Sequence, residues 1–319
     1  MTRMGRPPIK PVRWQPAPFP GRARRRTSEV PLPPLRVRHA GGTGPEDVLV
    51  DRDGALLTGL ADGRVVRLSE DGRPPATVAH TGGRPLGLEL MPDGRLLVCD
   101  AERGLLAVDP GTGTTETLVT DVDGAQMRFC NNAAVAPDGT VYFSDSSRRF
   151  GIEHWKAEML EHSGTGRLLR RSPSGAVEVL LDGLEFSNGV ALSPDGSTVV
   201  VAETGASRLT RLHLTGPRQG QAELFADLAA YPDNVSTGSD GLLWVAMPSP
   251  RERLQPKPKR MAWVTAWTFD GALVHDLQGA HPDFFMSVGV REHHGTVHLG
   301  SLVTANVASF VLPSVPRAA

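Results

Sequence analysis

The chain has 319 residues, a formal net charge of −1 and two cysteines. The balanced charge gives no reason to expect a nucleic acid partner, and Cys99 and Cys130 are too few for a disulfide framework, although one bond between them stays open. No apolar run approaches the ~20 residues of a membrane-spanning helix. The first residues lack the apolar centre of a signal peptide, so we expect a cytoplasmic protein without a membrane partner.

The first 28 residues are basic and rich in proline, which predicts a disordered arm. The cluster Arg22, Arg24, Arg25 and Arg26 favours a solvated tail over a nucleic acid site, because no basic fold follows it. Residues 29–319 are predicted to form one domain. Its first strand, within residues 29–38, is expected to pair with the far C-terminal strand.

A turn motif recurs through this domain. Glycines preceded by Asp, or once by His294, stand at Gly54, Gly94, Gly139, Gly196, Gly241 and Gly295. An apolar β-rich run lies on each side of every turn, and two further strand-like runs follow, which is typical of hairpins. Six four-strand units at a period of about 40–50 residues predict an all-β fold, the six-bladed β-propeller. A β-sandwich also has many short strands but does not predict the period.

Two segments interrupt the repeat. Residues 146–166 are inserted in the third blade, and the helical character of WKAEMLEH predicts a short lid over one face of the propeller. Residues 250–262, in the fifth blade, are polar and broken by proline, and are predicted to be a loop.

Polar residues occupy one place in the repeat. The positions eight residues before the turn glycines are Glu46, Leu86, Asn131, Asn188, Asp233 and Ser287. These positions begin the innermost strands, which converge on the central channel of a propeller. One residue further on lie Asp47, Asn132 and Asn234.

Carboxylates and amides that converge without His or Cys describe a site for a hard cation. We predict metal ligation by Glu46, Asn131, Asn188, Asp233 and Asn234. Ca²⁺ is favoured, with Zn²⁺, Mn²⁺ and Mg²⁺ as alternatives. A single Asn before Gly is more often a turn former, and only the shared register of these residues favours a site. The Asp residues of the Asp-Gly turns are assigned to the hairpins.

Several long motifs resemble a known family. RPLGLEL, NNAAVAPDGTVYFSDSS, GRLLR, FSNGVALSPDGSTVVVAET, YPDN and LWVAM are similar to the strictosidine synthase-like branch of calcium-dependent six-bladed propellers, over about residues 40–312. This branch is related to the gluconolactonase/senescence-marker and paraoxonase groups. The resemblance implies a divalent metal at one end of the channel, with ligands that map onto Glu46, Asn131, Asn188 and Asp233. Asn234 matches a further ligand of the paraoxonase group.

The chain departs from its relatives at three places. Val288 stands where strictosidine-forming enzymes carry a catalytic glutamate, so that condensation is not expected. Leu86 replaces the second-blade histidine of the paraoxonase type. Asn132 stands where relatives often have Asp, which removes one carboxylate.

We predict a metal-dependent hydrolase of lactones or small esters, acting as a monomer on a small-molecule substrate. The cation would polarise the carbonyl group and make water more acidic, and Asp233 is the predicted general base, with His154 or His162 of the lid as alternatives. Leu86, Asn132, Ser287 and His154 are predicted to contact the substrate. A biosynthetic lyase or cyclase, or a binding propeller with structural calcium, are the alternative functions.

Overall fold

The computed structural model describes residues 7–13, 30–250 and 261–313. Within these residues the chain forms a six-bladed β-propeller, as predicted, with four antiparallel strands in each blade and one additional parallel strand in blade 5. Most of the predicted arm, residues 1–28, and most of the predicted loop at 250–262 lie outside the described residues.

The strands of blades 1 to 3 follow one another along the chain. Blade 1 contains β3 (Leu49–Val50), β4 (Leu56–Gly59), β5 (Arg64–Leu68) and β6 (Ala76–His80). Blade 2 contains β7 (Pro85–Leu90), β8 (Leu96–Asp100), β9 (Gly104–Val108) and β10 (Thr115–Val119), followed by a small hairpin of β11 (Asp121–Val122) and β12 (Ala125–Gln126). Blade 3 contains β13 (Cys130–Val135), β14 (Val141–Asp145), β15 (Gly166–Arg171) and β16 (Val177–Leu184).

Blades 4 to 6 continue the pattern, and two early strands join the last two blades. Blade 4 contains β17 (Ser187–Leu192), β18 (Thr198–Glu203), β19 (Arg208–His213) and β20 (Ala222–Asp227). Blade 5 contains β22 (Val235–Thr237), β23 (Leu243–Ala246), β25 (Ala262–Trp267), β26 (Leu273–Gly279) and the added β1 (Val30–Pro31). Blade 6 contains β27 (Ser287–His293), β28 (Thr296–Ser301), β29 (Asn306–Val311) and β2 (Arg36–His39). A small hairpin pairs β21 (Ala230–Tyr231) with β24 (Ser249–Pro250).

The propeller closes by the pairing of its two ends. β2 runs antiparallel to β29, with Arg36 opposite Ser309 and His39 opposite Asn306. This confirms the predicted strand near residues 30–38. The predicted range also contains a second, unexpected strand, β1, whose two residues pair in parallel with β26 of blade 5.

The core is divided among the blade interfaces. Six of the buried apolar clusters are each shared by two neighbouring blades. For example, Val48 and Leu56 of the first blade pack with Val307 of the last. Cys99 and Cys130 lie in the cluster between blades 2 and 3, and both are free thiols.

The lid prediction is confirmed in its helix. The insertion forms a 3-10 turn, Ile152–His154, followed by α1 (Trp155–Glu161). The helix ends at His162, whose φ of 48° is left-handed. Residues 7–13 lie against this helix: the backbone N–H of Val12 donates to the carbonyl of Leu160, and that of Lys10 donates to the Glu161 carboxylate. No helix of the described residues is long and apolar enough to cross a membrane.

A β-bulge follows the first residue of four inner strands, β7, β13, β17 and β27. In β17, Asn188 and Gly189 together oppose one residue of β18, because Ser187 pairs with Glu203 and Val190 with Val201. A bulge re-aims a side chain away from the sheet. It therefore turns the residue after the first strand position towards the channel.

The close approach of the inner strands depends on glycine in alternate blades. Gly87, Gly189 and Gly289 occupy the second bulge position in blades 2, 4 and 6, and each lies against the next blade. A Cβ atom at Gly189 would lie 2.1 Å from the backbone nitrogen of Val235 and 2.6 Å from Cα of Asn234. Both contacts are with backbone, so neither can move aside without opening the interface between blades 4 and 5.

We expect Gly189→Ala to lower the free energy of unfolding by more than about 3 kcal/mol, as severe backbone overlap does. Gly196→Ala is the control. Gly196 has a φ of 69° and open space around it, so its substitution should cost only about 1 kcal/mol. Urea unfolding of both variants checks this, and equal losses would contradict the packing role of Gly189.

Candidate active site

The heads of the inner strands bring five polar side chains to one end of the channel. Glu46, Asn131, Asn188 and Asp233 line a cavity of about 320 Å³. Asn234 does not line the cavity, since only 1% of its surface is exposed, but its amide donates to Oε2 of Glu46 over 3.2 Å. Four blades therefore contribute to one cluster of oxygen atoms.

Three amide oxygens in this cluster have no hydrogen-bond partner. They are the buried Oδ1 atoms of Asn131, Asn188 and Asn234. A buried polar atom without a partner costs about 1–3 kcal/mol, and such atoms are uncommon in folded proteins. Three of them beside two carboxylates are therefore the feature of this site that most requires an explanation.

The amide orientations follow from the neighbouring hydroxyl groups. The Asn131 amide donates to Oγ of Ser146 over 2.9 Å, and the Ser146 hydroxyl donates its own proton to the carbonyl of Ser187 over 2.6 Å. The Asn188 amide donates to Oγ1 of Thr204 over 3.1 Å, and that hydroxyl donates to the carbonyl of Pro232 over 2.7 Å. A hydroxyl has one proton, so each can only accept from its asparagine.

Burial raises the pKa of both carboxyl groups of the cluster, and repulsion adds to the effect at Glu46. Burial, followed by repulsion from Asp233 and Asp47, raises the pKa of Glu46 well above its usual range. Burial also raises the pKa of Asp233 to about 7, although the 2.9 Å hydrogen bond from the Asn188 amide to Oδ1 of Asp233 opposes the shift. The site therefore concentrates negative charge in a poorly solvated place, where a nearby positive charge would be stabilising.

The residues directly after the channel-facing positions form a separate layer of polar contacts. Asp47 accepts from the N–H of Leu88 in blade 2, and Oδ1 of Asn132 accepts from the N–H of Val190 in blade 4. The Asn132 amide also reaches Oδ2 of Asp47 at 3.4 Å. Asn132 thus joins blades 1, 3 and 4 and does not line the cavity. Burial raises the pKa of Asp47 to about 6, against the positive charge of Arg291.

We call the residue that each blade presents to the channel its axial residue. In the sixth blade, counting eight residues back from the turn glycine gives a position that is one residue before the true axial position. Its turn is the tight pair His294 and Gly295, both with positive φ. Ser287 pairs with Ser301 and Val290 with Leu299, so Val288 is the equivalent of Asn188. Ser287 is fully buried, and its hydroxyl group exchanges hydrogen bonds with the backbone of Trp263.

The other predicted contacts are placed differently. Leu86 lines the cavity, whereas Ser287 and His154 do not. The lid reaches the cavity through other residues of the insertion, Ile152, Glu153, Trp155 and Met159. His162 ends the helix and its ring lies 3.4 Å from Glu185.

Sequence reasoning missed most of a second set of cavity residues, two positions before the axial ones. These are Arg84, Phe129, Phe186, Tyr231 and Met286. Their equivalence is visible in the backbone: the N–H groups of Ala101, Ser146 and Thr204 donate to the carbonyls of Arg84, Phe129 and Phe186, respectively. Counting ten residues back from the turns, instead of eight, would have found most of this set.

The second set makes the cavity largely apolar. Phe129 and Phe186 pack with ring centroids 5.5 Å apart, and Leu86, Ala101 and Met159 join their cluster. Phe186 and Met286 both have left-handed backbone, with φ of 58° and 61°. This conformation is strained for large side chains and is found at functional sites. Arg84 is the cationic member, and it donates to the carbonyl of Gly44 over 2.9 Å.

Comparison with known proteins places this architecture in a family. The strictosidine synthase model matches residues 131–217, and the N-terminal model of strictosidine synthase-like proteins matches residues 35–68. Strictosidine synthase-like protein 10 of Arabidopsis thaliana is 37% identical over 235 residues, which are 67% of this chain and 63% of that protein. The chain belongs to the strictosidine synthase-like family.

Other members of this family have different names. The adipocyte plasma membrane-associated protein of Gallus gallus is 38% identical over 223 residues, 64% of this chain and 53% of that protein. The matched regions therefore span 63% and 53% of the length of these two relatives.

Solved structures share the propeller fold at low identity. A gluconolactonase of Xanthomonas campestris superposes with a TM-score of 0.69 at 19% identity, over 98% of this chain and 99% of that chain. The calcium-binding protein regucalcin of Agrobacterium tumefaciens gives a TM-score of 0.64 at 15% identity, over 88% and 94% of the two chains. At this identity the likeness concerns the fold alone.

Proposed function

We propose that the protein is a calcium-dependent hydrolase of lactones or small esters. The observation that carries the proposal is the set of three buried amide oxygens without partners, gathered around two carboxylates at the cavity. Oxygen-only sets with mixed charge suit Ca²⁺, with Zn²⁺, Mn²⁺ and Mg²⁺ as alternatives. The name of the calcium-binding regucalcin neighbour agrees with this choice, and the name of the gluconolactonase neighbour agrees with a lactone substrate.

The donor set fits such a cation. Within residues 7–13, 30–250 and 261–313 no group of three or more His, Cys, Asp or Glu side chains could hold a metal, and this site relies on amides instead. Glu46 and Asp233 would balance the two positive charges, and Asn131, Asn188 and Asn234 would supply neutral oxygens. When bound, the ion would polarise the ester carbonyl and make water more acidic.

The remaining chemistry falls to Asp233. In the proposed reaction Asp233 removes a proton from the water that attacks the carbonyl carbon. The carbon–oxygen bond of the ester then breaks, and the proton passes to the departing alkoxide. Asn188, which donates to Oδ1 of Asp233, holds this carboxylate in place.

In this proposal the substrate is selected by the apolar wall of the cavity, formed by the cluster of Leu86, Ala101, Phe129, Met159 and Phe186. A hydroxyl group placed against Phe129, Phe186 or Met159 would lose its hydrogen bonds to water. Arg84 and Thr204 already use hydrogen bonds on main-chain carbonyls. The cavity therefore favours a small ester or lactone with an apolar body over a polyhydroxylated lactone.

Val288 argues against the condensation reaction of strictosidine synthase. It is fully buried and carries no acid or base at the place where the resemblance puts a glutamate. A lyase or cyclase remains the second candidate because of the apolar wall. We also propose that the protein is a monomer in the cytoplasm, without a nucleic acid or membrane partner.

Removal of the metal should abolish hydrolysis and lower stability. In excess chelator we expect no turnover of lactones or aryl esters, and Ca²⁺ at 100 times its dissociation constant should add about 2.7 kcal/mol to the free energy of unfolding. Glu46→Gln should weaken calcium binding at least tenfold, whereas the exposed Glu116→Gln should not change it. Turnover that survives chelation would refute metal-dependent hydrolysis, and a stability effect without any turnover would favour structural calcium.

Asp233→Asn separates the proposed base from the metal ligand. The amide keeps an oxygen for the ion but cannot accept the proton. We therefore expect calcium to bind more weakly, as in Glu46→Gln, while kcat measured in saturating Ca²⁺ falls by about 10²–10⁴. Steady-state kinetics and calorimetry measure the two effects. Full activity in this variant would remove Asp233 as the base.

A matched pair of substrates tests the apolar wall. We expect an alkyl-substituted lactone to have a kcat/KM at least 100-fold above that of a sugar lactone of the same ring size, since each unpaired hydroxyl costs about 1–3 kcal/mol. Phe186→Ser should narrow this ratio. Preference for the sugar lactone would contradict the role of the wall.

A further inference from the structure

Each axial residue has a partner position at the end of the second strand of its own blade. In blades 2, 3, 4 and 6 the first paired residues are Pro85–Asp100, Cys130–Asp145, Ser187–Glu203 and Ser287–Ser301. In each pair, the axial residue comes directly after the first member along the chain, and its partner comes directly after the second member. These couples are Leu86 with Ala101, Asn131 with Ser146, Asn188 with Thr204, and Val288 with Leu302.

A hydroxyl group occurs only where the axial residue is an asparagine. In the first and fifth blades the corresponding residue, counted seven after the turn glycine as in blades 2, 3 and 6, is Ala61 or Pro248. The apolar axial residues also have apolar partners. This distribution has a chemical reason. A carboxylate presents an oxygen whichever way it turns, whereas an amide presents either an oxygen or two N–H donors.

We propose that Ser146 and Thr204 are positioning residues, which hold Oδ1 of Asn131 and Asn188 towards the cavity for a cation. The inference rests on the proposed function, because it assigns these hydroxyl groups a task at the same metal site. Neither residue is itself a ligand in this proposal.

The direction of each hydrogen bond enforces the orientation. The Ser146 and Thr204 protons are donated to the carbonyls of Ser187 and Pro232, which belong to the next blade or its approach. Each hydroxyl oxygen therefore faces its asparagine with lone pairs alone. If an amide turned over, its oxygen would meet those lone pairs, and the amide N–H groups would point at the ion.

Burial makes the arrangement rigid. The exposed fraction is 0% for Ser146, 6% for Thr204 and 3% for both asparagines. In the Asn188 couple, the second amide proton goes to Oδ1 of Asp233 over 2.9 Å, so both N–H bonds are occupied on the protein side. Rotation would place the amide oxygen against a carboxylate as well as against Thr204.

The same contacts link cation binding to the blade interfaces. The carbonyls that accept from Ser146 and Thr204 lie across the interfaces between blades 3 and 4 and between blades 4 and 5. Removing a hydroxyl therefore has two effects, a loss of interface stability and a loss of amide orientation. A test must separate these effects.

Thr204→Val removes the hydroxyl with little change of shape, and Thr204→Ser restores it. Loss of a group that orients a metal ligand typically costs 10–100-fold in metal affinity. In chelated protein titrated with Ca²⁺ in a calorimeter, we therefore expect Thr204→Val to bind at least 10-fold more weakly than the wild type, and Thr204→Ser to bind within about threefold. Ser146→Ala should resemble Thr204→Val.

Thr237→Val is the matched control. The Thr237 hydroxyl also crosses a blade interface, donating to the carbonyl of Leu192 over 2.6 Å, and no hydrogen bond joins it to an axial amide. Its removal should lower the melting temperature without Ca²⁺ but leave calcium affinity unchanged. The shift in melting temperature on adding Ca²⁺ should shrink in Thr204→Val and Ser146→Ala but not in this control.

Two failures are distinguishable. If the wild type binds Ca²⁺ and Thr204→Val and Ser146→Ala bind it equally well, the positioning role is wrong and the metal site stands. If the wild type binds none of Ca²⁺, Mg²⁺, Mn²⁺ and Zn²⁺, the proposed function fails, and the positioning role fails with it. Equal weakening in Thr204→Val and Thr237→Val would assign the effect to blade stability and also overturn the positioning role.

Discussion

The close contact of inner strands around the channel is the constraint on which the rest of the structure depends. Gly87, Gly189 and Gly289 let three strands press against their neighbours, and the intervening blades place Asp47, Asn132 and Asn234 at the same level. Side chains of blades 1 and 3 accept backbone N–H groups from blades 2 and 4. This layer fixes the spacing of the strand heads, and so the distance between groups that no single blade could hold together.

Asymmetry is built onto this repeated frame. Each blade presents one side chain to the channel at the head of its inner strand, yet the six side chains differ: two carboxylates, two amides and two apolar residues. The carboxylates and amides come from blades 1, 3, 4 and 5, and the apolar residues come from blades 2 and 6. The two apolar positions therefore flank Glu46 of blade 1, and most of the apolar lining of the cavity comes from Phe129, Phe186 and the lid.

Much of the fold could be predicted because it is written in local signals. The Asp-Gly turns, the alternating runs and the period give the blades, and the shared distance from each turn gives Glu46, Asn131, Asn188 and Asp233. Counting failed where the turn itself changed, in blade 6, because His294 and Gly295 make a tighter loop than the other blades have. The strand β1 has only two residues and no alternation that could reveal it.

The partners of the axial residues could not be predicted from spacing alone. Ser146 and Thr204 are ordinary residues after a strand, and their importance appears only when the direction of each hydrogen bond is known. Phe129 and Phe186 look like core residues in the sequence. They line the cavity because each stands two residues before an axial asparagine, at the same end of the channel.

The closure of the propeller also has a consequence for biosynthesis. β2 is synthesised before blade 1, but its partner β29 is synthesised after all the other strands of the propeller. Asn234 and Glu46, which share a hydrogen bond, are separated by nearly 190 residues of chain. The oxygen cluster is therefore assembled late, and a chain that lacks only its final strand retains every proposed ligand but has lost the pairing that brings the first blade back to the last.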